Sequence, residues 1–113
     1  MTNYYIHAIL LADCPYSIKA SELLNNYKIK NQIDVIAQKD KEKFKMENYF
    51  TYPQIFLKKE GSNNSLFIGG YIDLNSFINT FKNNYNEANI KIFQEKYKWS
   101  KKAVLRFIEL INT

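Results

Sequence analysis

Cysteine is nearly absent from this 113-residue chain, with Cys14 the only one. An internal disulfide framework is therefore excluded, as is a zinc site built from several cysteines. Any sulfur chemistry must use Cys14 alone or with a sulfur from another molecule. Three glycines and two prolines leave no low-complexity linker and no collagen-like repeat. Long apolar runs are lacking too. The run from Ile6 to Ala12 contains His7 and is far too short to span a bilayer. Met1 to Tyr5 carry no Lys or Arg ahead of that run, so no secretory signal is expected. The chain reads as a cytoplasmic protein of a reducing compartment, with no membrane partner. Asn63-Asn64-Ser65 is accordingly read as a polar turn rather than a glycosylation site.

What is present is aromatic bulk. Nine Tyr and eight Phe in a chain that is 46% hydrophobic and 24% charged can fill the core of one small domain. The net charge of +5 is unevenly placed, at −1 over residues 1–27, +3 over 28–60, zero over 61–85 and +3 over 86–113. A basic patch attracts nucleic acid or acidic partners. The lysines of 39–45, however, alternate with Asp40 and Glu42 as on a solvated helix face, and no base-stacking motif is visible. Nucleic acid is not expected as a partner.

The pattern predicts β-α-β-α-β-β-α followed by a helical tail. Tyr4 to Leu11 reads as a central strand buried on both faces. Asp13-Cys14-Pro15 reads as a helix start, with Asp13 as the cap and proline where its missing N–H costs nothing. Gln32 to Ala37 is a second strand and Lys39 to Tyr49 a short helix. Gln54 to Lys58 and Leu66 to Ile68 form a hairpin around Gly61-Ser62-Asn63-Asn64. Asp73 caps a helix bearing Leu74, Phe77, Ile78 and Phe81 on one face. Beyond residue 85, Ile90, Phe93, Tyr97, Val104, Phe107 and Ile111 recur at steps of three, four and seven. Ser100 falls where the next apolar residue is due, or caps a second helix starting at Lys101. The chain divides into a domain over 1–85 and an amphipathic helical extension over 86–113. That extension packs on the domain or binds a partner. The expected class is α/β, a four-stranded mixed sheet flanked by helices. His7 and Trp99 are read as structural.

Three places carry chemistry. Cys14 follows a buried strand and opens a helix, where unpaired N–H groups and the positive end of the helix dipole stabilise a thiolate and make a reactive sulfur. Pro53, in Thr51-Tyr52-Pro53 ahead of a strand, can take a cis bond that turns the backbone of Tyr52 outward to pair with an extended peptide. Gly69-Gly70 can form a backbone concavity for a carboxylate.

In this order the three segments resemble the glutaredoxin family of the thioredoxin fold. Cys14-Pro15-Tyr16-Ser17 is similar to its active-site motif, in the monothiol CPYS form. Thr51-Tyr52-Pro53-Gln54-Ile55-Phe56 is similar to its TVPQIF segment with the cis-proline. Ile68-Gly69-Gly70-Tyr71-Ile72-Asp73-Leu74 is similar to IGGYDDL. The resemblance spans roughly residues 5 to 83 and implies a thioredoxin-like fold and glutathione-dependent oxidoreductase activity. By it, Cys14 is the nucleophile and Tyr16 borders glutathione. The backbone of Tyr52, before Pro53, pairs with the cysteinyl portion. The backbone N–H groups of Ile72 and Asp73 receive the γ-glutamyl carboxylate, with the Asp73 side chain near the ammonium.

The chain departs from the family at Leu11 and Phe50, where Lys and Arg are usual, and at Ile72, which replaces an acid. Ser17 stands where a resolving thiol would be, so a two-cysteine route is excluded. A monothiol cycle on glutathionylated proteins or mixed disulfides remains, the protein acting as a monomer. The resemblance also admits a [2Fe–2S] cluster shared by a dimer, held by two copies of Cys14 and two glutathione thiols. A diverged, non-catalytic module that binds partners through its tail is the third reading.

Overall fold

Alternation along β1 (Tyr4–Leu11) sets the architecture. Ile6, Ala8 and Leu10 are buried, whereas Tyr5, His7, Ile9 and Leu11 are only half-buried. The strand is therefore covered fully on one face, not on both as its unbroken apolar run suggested. The computed structural model describes residues 3–44, 49 and 51–113. Residues 45–48, part of the expected helix over 39–49, and Phe50 lie outside the described residues.

β1 is followed by α1 (Pro15–Asn26), β2 (Asn31–Ile36), a 3-10 helix (Gln38–Phe44), β3 (Gln54–Lys59), β4 (Ser65–Gly69) and α2 (Tyr71–Phe81). The tail forms α3 (Glu87–Tyr97) and α4 (Lys101–Ile111). The sheet order is β2-β1-β3-β4, with β1 parallel to β2 and the other two pairings antiparallel. This α/β arrangement, a four-stranded mixed sheet flanked by helices, is thioredoxin-like with a C-terminal helical extension.

The extension is built into the core. Ser100 accepts a hydrogen bond from the Ala103 N–H at 3.1 Å, so it caps a second helix rather than continuing the first. Val104, Phe107, Leu110 and Ile111 of α4 then join Ile6, Ala8, Leu24, Ile55, Leu74, Phe77 and Phe81 in one buried cluster. Phe107 stacks on Phe77 at 3.8 Å between centroids, and Trp99 is buried against both. Lys82 Nζ donates to the Ile111 carbonyl at 2.7 Å, which ties the last turn of α4 to the end of α2.

The second face of the sheet carries His7, Ile9, Phe56 and Phe67, none of which belongs to that cluster. His7 bonds Asp34 at 2.6 Å and leans on Phe56. Among the described residues, no helix is long and apolar enough to cross a membrane.

Candidate active site

The end of β1 delivers Cys14 to the start of α1. Cys14 itself is the N-cap (φ −101°, ψ 120°), with Pro15 in the first helical position. Asp13, expected as the cap, instead takes a left-handed backbone (φ 60°) and lies one residue outside the helix. Asp and Asn tolerate that conformation better than most residues. The cap position leaves Cys14 half-exposed, beside the unpaired first-turn amides of α1.

Ser17 is turned the other way. It is buried, and its Oγ accepts the Leu11 N–H at 3.0 Å. The hydroxyl thus fastens the end of β1 to the first turn of α1. Ser17→Ala should cost about 1–2 kcal/mol by orphaning that amide, read as a lowered denaturant midpoint in equilibrium unfolding.

Across from Cys14, the Tyr52–Pro53 bond is cis, and the Tyr52 carbonyl lies 3.9 Å from Cys14 Sγ. The Tyr52 hydroxyl donates to the Lys41 carbonyl at 2.6 Å, and Gln54 Nε2 donates to the Phe44 carbonyl at 2.8 Å. These bonds fix the segment around Pro53 against the 3-10 helix.

The third wall is the start of α2. Its N-cap is Gly70 and its first residue Tyr71, so Asp73 is the third residue of the helix and not its cap. Asp73 still serves the helix end by reaching back, since its Oδ2 accepts the Gly70 N–H at 2.8 Å. Gly70 is therefore not an open donor, contrary to the carboxylate cradle expected from Gly69-Gly70. The amides of Ile72 and Asp73 follow in the first turn. Gly70 has no side chain, so it gives the first turn of α2 no side-chain cap. In α3 and α4 the side chains of Asn86 and Ser100 fill that role.

Gly69 is demanded by its positive φ and by the closeness of Asp73, whereas at Gly70 a side chain would meet only the movable tip of Tyr49. A Cβ on Gly69 (φ 130°) would lie 2.1 Å from Asp73 Oδ2, and one on Gly70 would lie 2.5 Å from the Tyr49 hydroxyl.

Between these walls is a cavity of about 290 Å³ lined by Tyr16, Tyr49, Thr51, Tyr52, Pro53, Gly70, Tyr71, Ile72 and Asp73. It gathers Tyr16, Tyr52, Pro53, Ile72 and Asp73, five of the residues singled out in the sequence, from segments far apart in the chain. Cys14 stands at its edge through Tyr52.

Two contributors were not legible in sequence. Lys19 lies over the Tyr16 and Tyr71 rings, at 5.4 and 5.9 Å from their centroids, and brings a cation to the rim. Tyr97 of α3 donates its hydroxyl to Asp73 Oδ1 at 2.7 Å. Burial, followed by the hydrogen bond to Asp73 and the charge of that carboxylate, holds the Tyr97 hydroxyl well above the usual phenol range. It remains a donor at neutral pH.

Among the described residues, no three His, Cys, Asp or Glu side chains are grouped to hold a metal ion. A cluster of the [2Fe–2S] type would draw one thiolate, Cys14, from each chain and the rest from outside it. Comparison with models of known protein families finds no match. Comparison with curated proteins finds none either.

Proposed function

We propose that the chain is a glutathione-dependent thiol-disulfide oxidoreductase that works through Cys14 alone. The observation that carries this reading is the cavity beside Cys14, which joins the cis Tyr52–Pro53 segment to the first turn of α2. A peptide with an anionic end suits such a site. Its backbone meets that of Tyr52 ahead of the cis bond, and its carboxylate meets the Ile72 and Asp73 N–H groups at the positive end of α2.

The reaction follows from one sulfur. The Cys14 thiolate attacks the glutathione sulfur of a mixed disulfide. The bond between that sulfur and the substrate sulfur breaks, and the substrate leaves as a thiolate that takes a proton. A second glutathione thiolate then attacks the glutathionyl sulfur bound to Cys14, releasing glutathione disulfide and regenerating the Cys14 thiolate. With Ser17 buried and bonded to Leu11, no internal thiol competes for the adduct. Cys14 is thus the nucleophile of the first step and the leaving group of the second.

The test is turnover of a small glutathione mixed disulfide, coupled to glutathione reductase, against glutathione alone. Acceleration by the protein supports the reading, and a rate equal to that of glutathione alone refutes it.

Lys19, over the Tyr16 and Tyr71 rings that line the cavity, offers it a cation. Lys19→Ala is expected to raise KM for the glutathione mixed disulfide about tenfold, the scale of one lost charge-assisted hydrogen bond, with kcat nearly unchanged. Steady-state kinetics over substrate concentration reads both constants.

A further inference from the structure

The acid of the site is held from outside the segments that build it. Asp73 Oδ2 is occupied by the Gly70 N–H at 2.8 Å and Oδ1 by the Tyr97 hydroxyl at 2.7 Å. Tyr97 sits at the end of α3, 24 residues further along the chain. Its ring is stacked between Phe93 and Trp99, with centroids 5.6 and 4.5 Å away and planes 21° and 15° apart. Trp99 in turn is buried against Phe77 and Phe107. The hydroxyl is thus aimed by the packed extension, and the two bonds together fix the carboxylate.

They do not exhaust it. An ionised carboxylate offers about four acceptor positions, and these bonds use two. A ligand ammonium entering the cavity that Asp73 lines finds an acceptor already oriented, so it need not spend binding energy on ordering a free side chain.

We propose that Tyr97 is a positioning residue of the glutathione site, acting through Asp73 on the ammonium of the γ-glutamyl group. The inference rests on the glutathione reading above and adds to it a role for the extension. Residues 86–113 become part of how the site selects its substrate, and not merely a cover for the core.

Two substrates separate this role from general packing. The mixed disulfide of glutathione carries the γ-glutamyl ammonium, and the corresponding mixed disulfide of cysteinylglycine lacks the γ-glutamyl residue. Tyr97→Phe keeps the ring in its stack and removes only the hydroxyl. It is expected to raise KM about fivefold for the glutathione disulfide, the scale of one hydrogen bond to a charged group, with kcat within twofold. For the cysteinylglycine disulfide KM stays at the wild-type value. Asp73→Asn should show the same selectivity, and the double variant should lose no more than Asp73→Asn alone, because Tyr97 acts only through Asp73. Equal losses on both substrates, or no loss on the glutathione disulfide, overturn the proposal. A wild-type protein that turns over neither substrate overturns the glutathione reading and this inference with it.

Discussion

Replacing Cys14 by serine is expected to lower turnover of a glutathione mixed disulfide by at least roughly a thousandfold, down to the rate of glutathione acting alone. The size follows from the count of sulfurs. The chain holds no other cysteine, so no second thiol can take over the attack or form an adduct. Stability should barely change. Cys14 is half-exposed, and among the described residues its sulfur makes only a long contact with the Tyr52 carbonyl, at 3.9 Å. Coupled kinetics together with thermal unfolding of the same variant separates the two effects. Loss of activity with an unchanged midpoint is the expected pair.

The second large effect lies at the other end of the chain. Phe107 is fully buried and stacks on Phe77 at 3.8 Å. Phe107→Ala leaves a cavity between α4 and α2 and should cost about 3–5 kcal/mol. That is a large share of the roughly 5–15 kcal/mol that holds a small domain together. The melting midpoint should fall by about 15–25 °C. A surface appendage would tolerate the change, so a shift of only a few degrees would contradict the packing of α4 into the core.

The two residues share a fold but differ in how far the sequence exposes them. Cys14 could be placed from its immediate neighbours. Pro15 marks a first helical turn and the apolar run before it marks a strand, and both signals are local. The cis bond before Pro53 and the hairpin around Gly61 to Asn64 were legible on the same terms, because proline and glycine restrict the backbone where they stand. Phe107 was legible as apolar periodicity, and Ser100 as an alternative cap that the structure selects.

Features that depend on meetings between distant segments were not legible. The two sides of β1 look alike in sequence, yet Ile6, Ala8 and Leu10 belong to the buried cluster whereas His7 and Ile9 do not. A short apolar run cannot tell a strand covered on one face from one covered on both. In sequence Asp73 reads as the cap of α2, whereas Gly70 occupies that place and Asp73 bonds back to it. An acid at the cap and one at the third helical position leave similar traces in sequence. In sequence Tyr97 is one of the recurring apolar residues of the tail, and its ring does pack there. Its hydroxyl meets Asp73 only because α3 folds back over the start of α2, and no local pattern announces that return. Lys19 reads as any exposed helical lysine until Tyr16 and Tyr71 are brought beneath it.

The central claim is that Cys14 accepts a glutathionyl group from a mixed disulfide and passes it to glutathione. Intact-protein mass measurement after incubation with glutathione disulfide tests this most directly. One glutathionyl adduct per chain is predicted, located at Cys14 by peptide mapping and removed by excess glutathione. A protein that stays unmodified, or an adduct on Cys14 that excess glutathione does not release, would contradict it.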